Sequence, residues 1–241
     1  MLQKFQQCSK SFQNFRNFLK KLVVSDVPEK TLSNKQFPWL SYIYIEIGMC
    51  PIRALRVAYT GELGWELHHP IEMQNYLLDI LLSSGEEFNL KLVGARAQNW
   101  LRQEKSYKAF GSDLGRDAGP FESNLSRFVD INKNFLGKDA LLKRKTDVSC
   151  ITLLIDGPKD IDPWGREALY NETEEVMLGR LTSAGYSVHF KRSIGIGYVK
   201  SSFSEVGTKL RIKIDDAFWN AEIVRDSPYD PQNERIIDRA Q

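Results

Sequence analysis

Arg56-Val57-Ala58-Tyr59-Thr60-Gly61-Glu62-Leu63-Gly64-Trp65-Glu66-Leu67-His68 is the stretch on which the reading of this chain turns. Apolar, β-branched and aromatic residues lie on both sides of Gly61-Glu62-Leu63-Gly64, and a short glycine-bounded segment between two such runs reads as a hairpin connection. With those four residues as the loop, Tyr59 stands opposite Glu66 and Thr60 opposite Trp65. Directly opposed residues share a sheet face with Cβ atoms roughly 4.5–5.5 Å apart, so the spacing predicts a phenol ring beside a carboxylate. Such a pair has a chemical use. A carboxylate accepts two parallel hydrogen bonds from a planar N–H/NH2 edge while an aromatic ring packs on the flat heterocycle. On spacing alone, the commoner explanation is a strand aromatic and a solvated glutamate on a half-exposed sheet.

Working outward, residues 41–47 form a run of aromatic and β-branched residues closed by Gly48, which predicts a strand. Residues 51–60 predict a second strand and 65–68 a third, stopped by Pro70, which cannot donate a ladder hydrogen bond. Upstream, Phe12, Phe15, Leu19 and Leu22 recur at helical spacing and place a helix over residues 11–23. The first 25 residues carry Lys4, Lys10, Arg16, Lys20 and Lys21 without an acidic residue, a composition shared with transit peptides, but the folded helix is the reading adopted. Downstream, residues 71–82 predict an amphipathic helix with Gly85 as its stop, and residues 92–105 a second helix buried through Ala95, Ala97 and Leu101. Strands covered by helices imply an α+β layer.

Residues 106–124 lose all period at Gly111, Gly115, Gly119 and Pro120, and a loop of this length in a compact domain is often functional. Its acidic residues Asp113, Asp117 and Glu122 lack tight ligand spacing, so no metal is assigned. A short helix over 137–144 leads into a charged link at 143–149, where the domain boundary is placed. Beyond it, short apolar runs at 150–155, 167–170, 177–183, 194–199, 210–214 and 221–224, separated by turn residues, predict a small β-barrel.

The chain's 241 residues are 42% hydrophobic and 27% charged, enough for a real core in one large domain or two small ones. A net charge of +2 argues against general capture of nucleic acid or membrane. No run approaches the roughly 20 apolar residues of a membrane span. Cys8, Cys50 and Cys150 are far apart and read as reduced thiols rather than a disulfide framework or zinc site. Gly195-Ile196-Gly197 lacks a third glycine and opens no helix, so no dinucleotide fingerprint is present. His68 falls on the Tyr59/Glu66 face, either solvated or touching a ligand, and the Asn124 and Asn171 sequons read as chance matches.

The pattern Arg-Val-x-Tyr-x-Gly-Glu-x-Gly-x-Glu resembles the signature hairpin of the glycine-cleavage T-protein (aminomethyltransferase) family, and residues 51–68 are most similar to the tetrahydrofolate-binding half of dimethylglycine and sarcosine dehydrogenases. Further resemblances follow in order at residues 33–40, 101–107, 135–141, 179–184, 194–199 and 227–231, so the likeness covers most of the chain beyond residue 11. The resemblance implies a partial aminomethyltransferase domain over 11–145, then a C-terminal β-barrel domain over 148–232. It implies tetrahydrofolate as cofactor, with Glu66 on the aminopyrimidine edge of the pterin and Tyr59 against its ring.

By the same resemblance Tyr107 and Phe110 are wall residues of the folate site or plugs under the loop, and Trp164 lines the cleft or packs its turn. Proton transfer in the family belongs to an upstream aspartate, and the chain begins too late to contain that half; it also lacks the flavin domain. FAD is therefore expected only on a separate dehydrogenase domain or subunit, a partner of this chain. Gln98 stands where T-proteins have arginine, which is closer to the dehydrogenase branch. The implied location is the cytoplasm for a bacterial source and the mitochondrial matrix for a eukaryotic one. Two further readings are a non-catalytic module that works against a partner and a piece of a longer gene.

Overall fold

The structure, a computed structural model, describes residues 12–25, 28–157 and 161–238. The first part of the chain forms α1 (Phe12–Leu22), α2 (Pro28–Thr31), β1 (Tyr42–Ile47), β2 (Cys50–Leu55), β3 (Glu66–His68), α3 (Gln74–Gly85) and α4 (Ala95–Glu104). Then come α5 (Lys138–Lys143), β4 (Val148–Ile155), β5 (Ala168–Tyr170), β6 (Met177–Ser187), β7 (Arg192–Lys200), β8 (Lys209–Ile214), β9 (Ala217–Val224) and α6 (Glu234–Ile237). The chain divides into two units: residues up to Gln98 with those from Gln232 onward, and Asn99–Pro231.

In the first unit, β1, β2 and β3 make an antiparallel sheet in that order. Period-two alternation sends Ile43, Ile45 and Ile47 of β1, Cys50, Ile52 and Ala54 of β2 and Leu67 of β3 onto one face, which closes over Phe18 and Leu19 of α1 and Leu77 of α3. Each fully buried Ile or Leu stabilises by roughly 1.5–3 kcal/mol. Lys20 and Lys21 in the last turn of α1 suit the negative end of its dipole, and Lys21 pairs with Glu87. The basic residues before Ser11 lie outside the described residues, so the transit-peptide alternative does too.

Two helix expectations need correction. Gly85 is not a stop beyond α3 but its last residue, with ordinary helical φ of −80°. A 3-10 turn, Glu86–Phe88, follows, and the left-handed residue that ends the run is Asn89 at φ 55°. Glycine is needed at 85 for space, since a Cβ there would meet the Leu90 Cβ at 2.7 Å. Helix α4 starts three residues later than expected, and Ala95 is exposed. Its buried residues are Arg102, Gln103 and Glu104, a polar last turn that no apolar periodicity announces.

The second unit holds a closed antiparallel barrel in the order β4-β7-β6-β5-β8-β9. Closure leaves no edge strand. Inward alternation packs Ile151, Leu153 and Ile155 of β4 against Leu169, Leu181, Val199, Leu210, Ile212 and Ile223. All six barrel strands fall on the runs picked out by sequence. Among the described residues no helix is long and apolar enough to cross a membrane.

Candidate functional site

The glycine-bounded reversal is wider than a tight hairpin. β2 ends at Leu55, and the register sets Arg53 opposite His68, Ala54 opposite Leu67 and Leu55 opposite Glu66. Leu55, not Tyr59, is therefore the cross-strand neighbour of Glu66, and the expected Tyr59–Glu66 pairing is corrected. The cause is Arg56. Its N–H donates to the Ser41 carbonyl at 2.9 Å and its carbonyl accepts the Leu40 N–H at 3.1 Å, which holds the backbone to the upstream segment. Its buried guanidinium donates to the Phe37 carbonyl at 2.6 Å and to the Ile237 carbonyl at 2.8 Å. Residues 56–65 consequently leave the β2–β3 ladder as a loop. Tyr59 and Thr60 are half-buried in it, Gly61 turns it at φ 77°, and Glu62 and Leu63 are buried.

Glu66 faces away from the core, with its side chain 54% exposed. Its Oε2 meets His68 Nε2 at 3.2 Å, while Oε1 has no hydrogen-bond partner among the described residues. On the same outward face Arg53 Nη2 donates to the Tyr44 hydroxyl at 2.9 Å, and its guanidinium stands 5.3 Å from the Tyr44 ring centroid and 5.9 Å from that of Tyr42. The first unit thus presents a carboxylate with one oxygen open, an imidazole and two rings bracketing a cation. A planar N–H/NH2 edge is a partner that such a carboxylate can accept, so the residues present fit the pterin edge by donor–acceptor chemistry.

In the second unit Tyr107 is half-buried, and burial holds its phenol above the usual tyrosine range; nearby Arg127 opposes that shift and Asp230 adds to it. Phe110 is 89% exposed, so it does not plug the core under the loop. Trp164 is 79% exposed on a turn where its N–H donates to Glu167 Oε1 at 2.8 Å. Gly165, next to it, sits at φ 85° with its backbone against Ser183.

Spacing did not single out two ion pairs. In the first, Arg102 Nη1 meets Asp113 Oδ2 at 2.5 Å, both side chains being buried. Arg102 also donates to Ser183 Oγ at 2.6 Å, Asn99 Oδ1 at 2.9 Å and the Tyr107 carbonyl at 2.8 Å. Asp113 in turn accepts from Thr182 Oγ1 at 2.5 Å and from the Ala109 N–H at 2.9 Å. A bulge between Leu181 and Ser183 of β6 supplies both hydroxyls. This network ties the 106–124 loop down and spends the Asp113 carboxylate on protein groups. Glu122 uses one oxygen, Oε1, on Arg144 at 3.0 Å and Thr146 at 2.7 Å, while its buried Oε2 accepts no hydrogen bond among the described residues. The second pair joins Glu62 to Arg235, whose Nε lies 3.0 and 2.8 Å from the two carboxylate oxygens. Only the glycine bracket around Glu62 hinted at it.

Residues 16–133 match the family described as the GCVT N-terminal domain, and residues 149–230 match the glycine cleavage T-protein C-terminal barrel domain. Among curated relatives, the mitochondrial dimethylglycine dehydrogenase of Mus musculus is 35% identical over 218 residues, which are 88% of this chain and 24% of that protein. An aminomethyltransferase of Caldanaerobacter subterraneus subsp. tengcongensis is 31% identical over 70% of this chain and 45% of its own. The crystal structure of glycine cleavage system aminomethyltransferase T from Bartonella henselae shares the fold, with a TM-score of 0.71 at 21% identity over 84% of this chain and 56% of that one. The chain spans 24% of the length of the dehydrogenase relative. With a GCVT region followed by the T-protein barrel, and a fold of mixed helix and sheet that ends in a six-stranded barrel, the chain belongs to the glycine cleavage T-protein family.

Proposed function

We propose that this chain is the tetrahydrofolate-binding part of a one-carbon transfer protein of the dimethylglycine/sarcosine dehydrogenase kind. Its partner in this reading is a flavin dehydrogenase domain or subunit that carries FAD. The observation that supports it is the outward carboxylate of Glu66, one oxygen open, beside the glycine-bounded loop whose sequence marks the family. Tetrahydrofolate, when bound, supplies the nitrogens that take up the one-carbon unit, and the residues of this chain bind and orient its ring. Glu66 accepts the aminopyrimidine edge, with the His68 contact given up or shared, and Tyr59 packs on the ring. Tyr107 and Trp164, in the second unit, are proposed folate contacts on the family resemblance. The domain limits 11–145 and 148–232 belong to the same proposal, and limited proteolysis between residues 143 and 149 checks them.

Anaerobic calorimetric titration with tetrahydrofolate tests this reading. Charge-assisted hydrogen bonds contribute roughly 1.5–3 kcal/mol, so Glu66→Ala is expected to weaken binding about tenfold or more. Equal affinity for the two proteins removes Glu66 from the site. Alanine variants of Tyr59, Tyr107 and Trp164 in the same titration settle their assignments one by one.

A second reading is a binding module without turnover of its own, which works against a partner. It is favoured by the outward sheet face, where Tyr42 and Tyr44 are 60% and 69% exposed, because aromatic and arginine side chains dominate interface energetics. The isolated chain separates the two. A transferase consumes tetrahydrofolate and formaldehyde faster than the solution reaction, and a bare module does not.

A further inference from the structure

We propose that residues 233–238 form a strap that positions the 56–65 loop, with Arg235 as the positioning residue; the folate reading enters only in naming the ligand whose contacts the loop and β3 would carry. The strap meets the loop at its start and its tip, and is linked to its end through one intermediate residue. At the start, Arg56 Nη2 donates to the Ile237 carbonyl at 2.8 Å. At the tip, Arg235 Nε sits between the two oxygens of Glu62, 3.0 and 2.8 Å away, with the Arg235 side chain 34% and the Glu62 side chain 11% exposed. The end is reached through Arg16. Its guanidinium stands 5.9 Å from the Trp65 ring centroid, and its Nη1 pairs with Asp238 Oδ2 at 3.1 Å.

The strap is itself held. Ile236 is buried, and the Asp238 carbonyl accepts from Asn34 Nδ2 at 2.8 Å. Asn233 and Asp238 both adopt left-handed backbone, φ 57° and 58°, so the short α6 is hooked at each end. Two buried guanidiniums, Arg16 and Arg56, face the carboxylate of Asp238. Burial, then the like charge of Arg16, pulls the Arg56 guanidinium down to about 10, and Asp238 works against both. Strap groups therefore compensate cations that frame the loop, and the Arg16–Asp238 pair, more deeply buried than Arg235–Glu62, is sensitive to loss of either partner. A ligand contact built on the loop inherits that dependence, since small displacements of positioning groups are costly in binding.

Amide hydrogen exchange on the full chain tests the proposal without any ligand. Arg235→Ala is expected to speed exchange over residues 57–65 at least tenfold and to leave the β4–β9 barrel unchanged. Arg235→Lys should recover part of the protection, because an ammonium still meets Glu62. Should Arg235→Ala also lose protection in the barrel, Glu62→Gln takes its place and must show the same local acceleration. Unchanged exchange over 57–65 in the folded variant overturns the strap. The same proteins are then titrated with tetrahydrofolate, with at least threefold weaker binding expected for Arg235→Ala. Faster exchange with undiminished affinity overturns the positioning role. A wild type that does not bind tetrahydrofolate overturns the folate reading instead, while the exchange result still decides whether the strap holds the loop.

Discussion

Arg102 and Asp113 lie out of water with 2% and 0% of their side chains exposed, and each is surrounded by further donors or acceptors that satisfy it. Removing one partner of such a pair leaves a charge with no compensation, which costs roughly 3–5 kcal/mol. Asp113→Ala should therefore lower the stability of the second unit by about that amount in urea unfolding, and a loss below about 1 kcal/mol would contradict the account. Nearby, burial pushes the Cys150 thiol up to about 12 and the Tyr198 phenol up to about 12, from ordinary values of 9.0 and 10.0. Both groups hold their protons to higher pH when folded than when unfolded. The unfolded chain then binds fewer protons between about pH 9 and 12, so stability is full below the unfolded values and falls as pH rises through that window. A melting temperature that declines from pH 9 to 11, with a shallower decline in Cys150→Ala and in Tyr198→Phe, is the expected outcome. In native protein at pH 8 the Cys150 thiol should resist alkylation until the barrel is unfolded.

At the level of elements, the parts legible in the sequence are those set by alternation and turn residues. The six barrel strands and β1 show themselves because one face is buried and Gly, Pro, Asn and Asp punctuate the ends. What local pattern misjudged was set by distant groups. The β-branched and aromatic run after Leu55 predicts a longer β2, but the buried Arg56 guanidinium draws the chain toward Phe37 and Ile237. The polar last turn of α4 looks like a solvated end, yet Arg102 and Glu104 are buried because Asp113, Ser183 and Ser187 satisfy them. Gly85 looks like a helix stop when its real constraint is the Leu90 side chain. In the barrel the tightest such constraint is at Gly179, where a Cβ would lie 1.9 Å from the Tyr198 carbonyl oxygen. Gly179→Ala must push β6 and β7 apart, and a large fall in melting temperature is expected; a variant as stable as the wild type would show that the two strands are not so closely apposed.

Across the whole molecule, each unit has its own core, one closed over α1 and α3 and one inside the barrel. The family matches join between residues 133 and 149, whereas the compact units divide within α4, after Gln98. The two divisions describe different things. The last turn of α4 and the 106–124 loop are bonded to β6 of the barrel through Arg102, Asp113, Thr182 and Ser183, and so cluster with it. Of the candidate site, the sequence announced the glycine-bounded segment and the outward Glu66, but not its partners. Glu62 and Arg235 are 173 residues apart, a separation at which no periodicity or turn rule operates. The same holds for Arg56 and Ile237, 181 residues apart.

The most direct measurement is a crystal structure of this chain with a stable tetrahydrofolate derivative bound. The account predicts the aminopyrimidine edge of the pteridine on the Glu66 carboxylate, at the roughly 2.7–2.9 Å of charge-assisted hydrogen bonds, with the Tyr59 ring against the heterocycle. A pteridine bound elsewhere, with Glu66 still held by His68 and open to solvent, would contradict it.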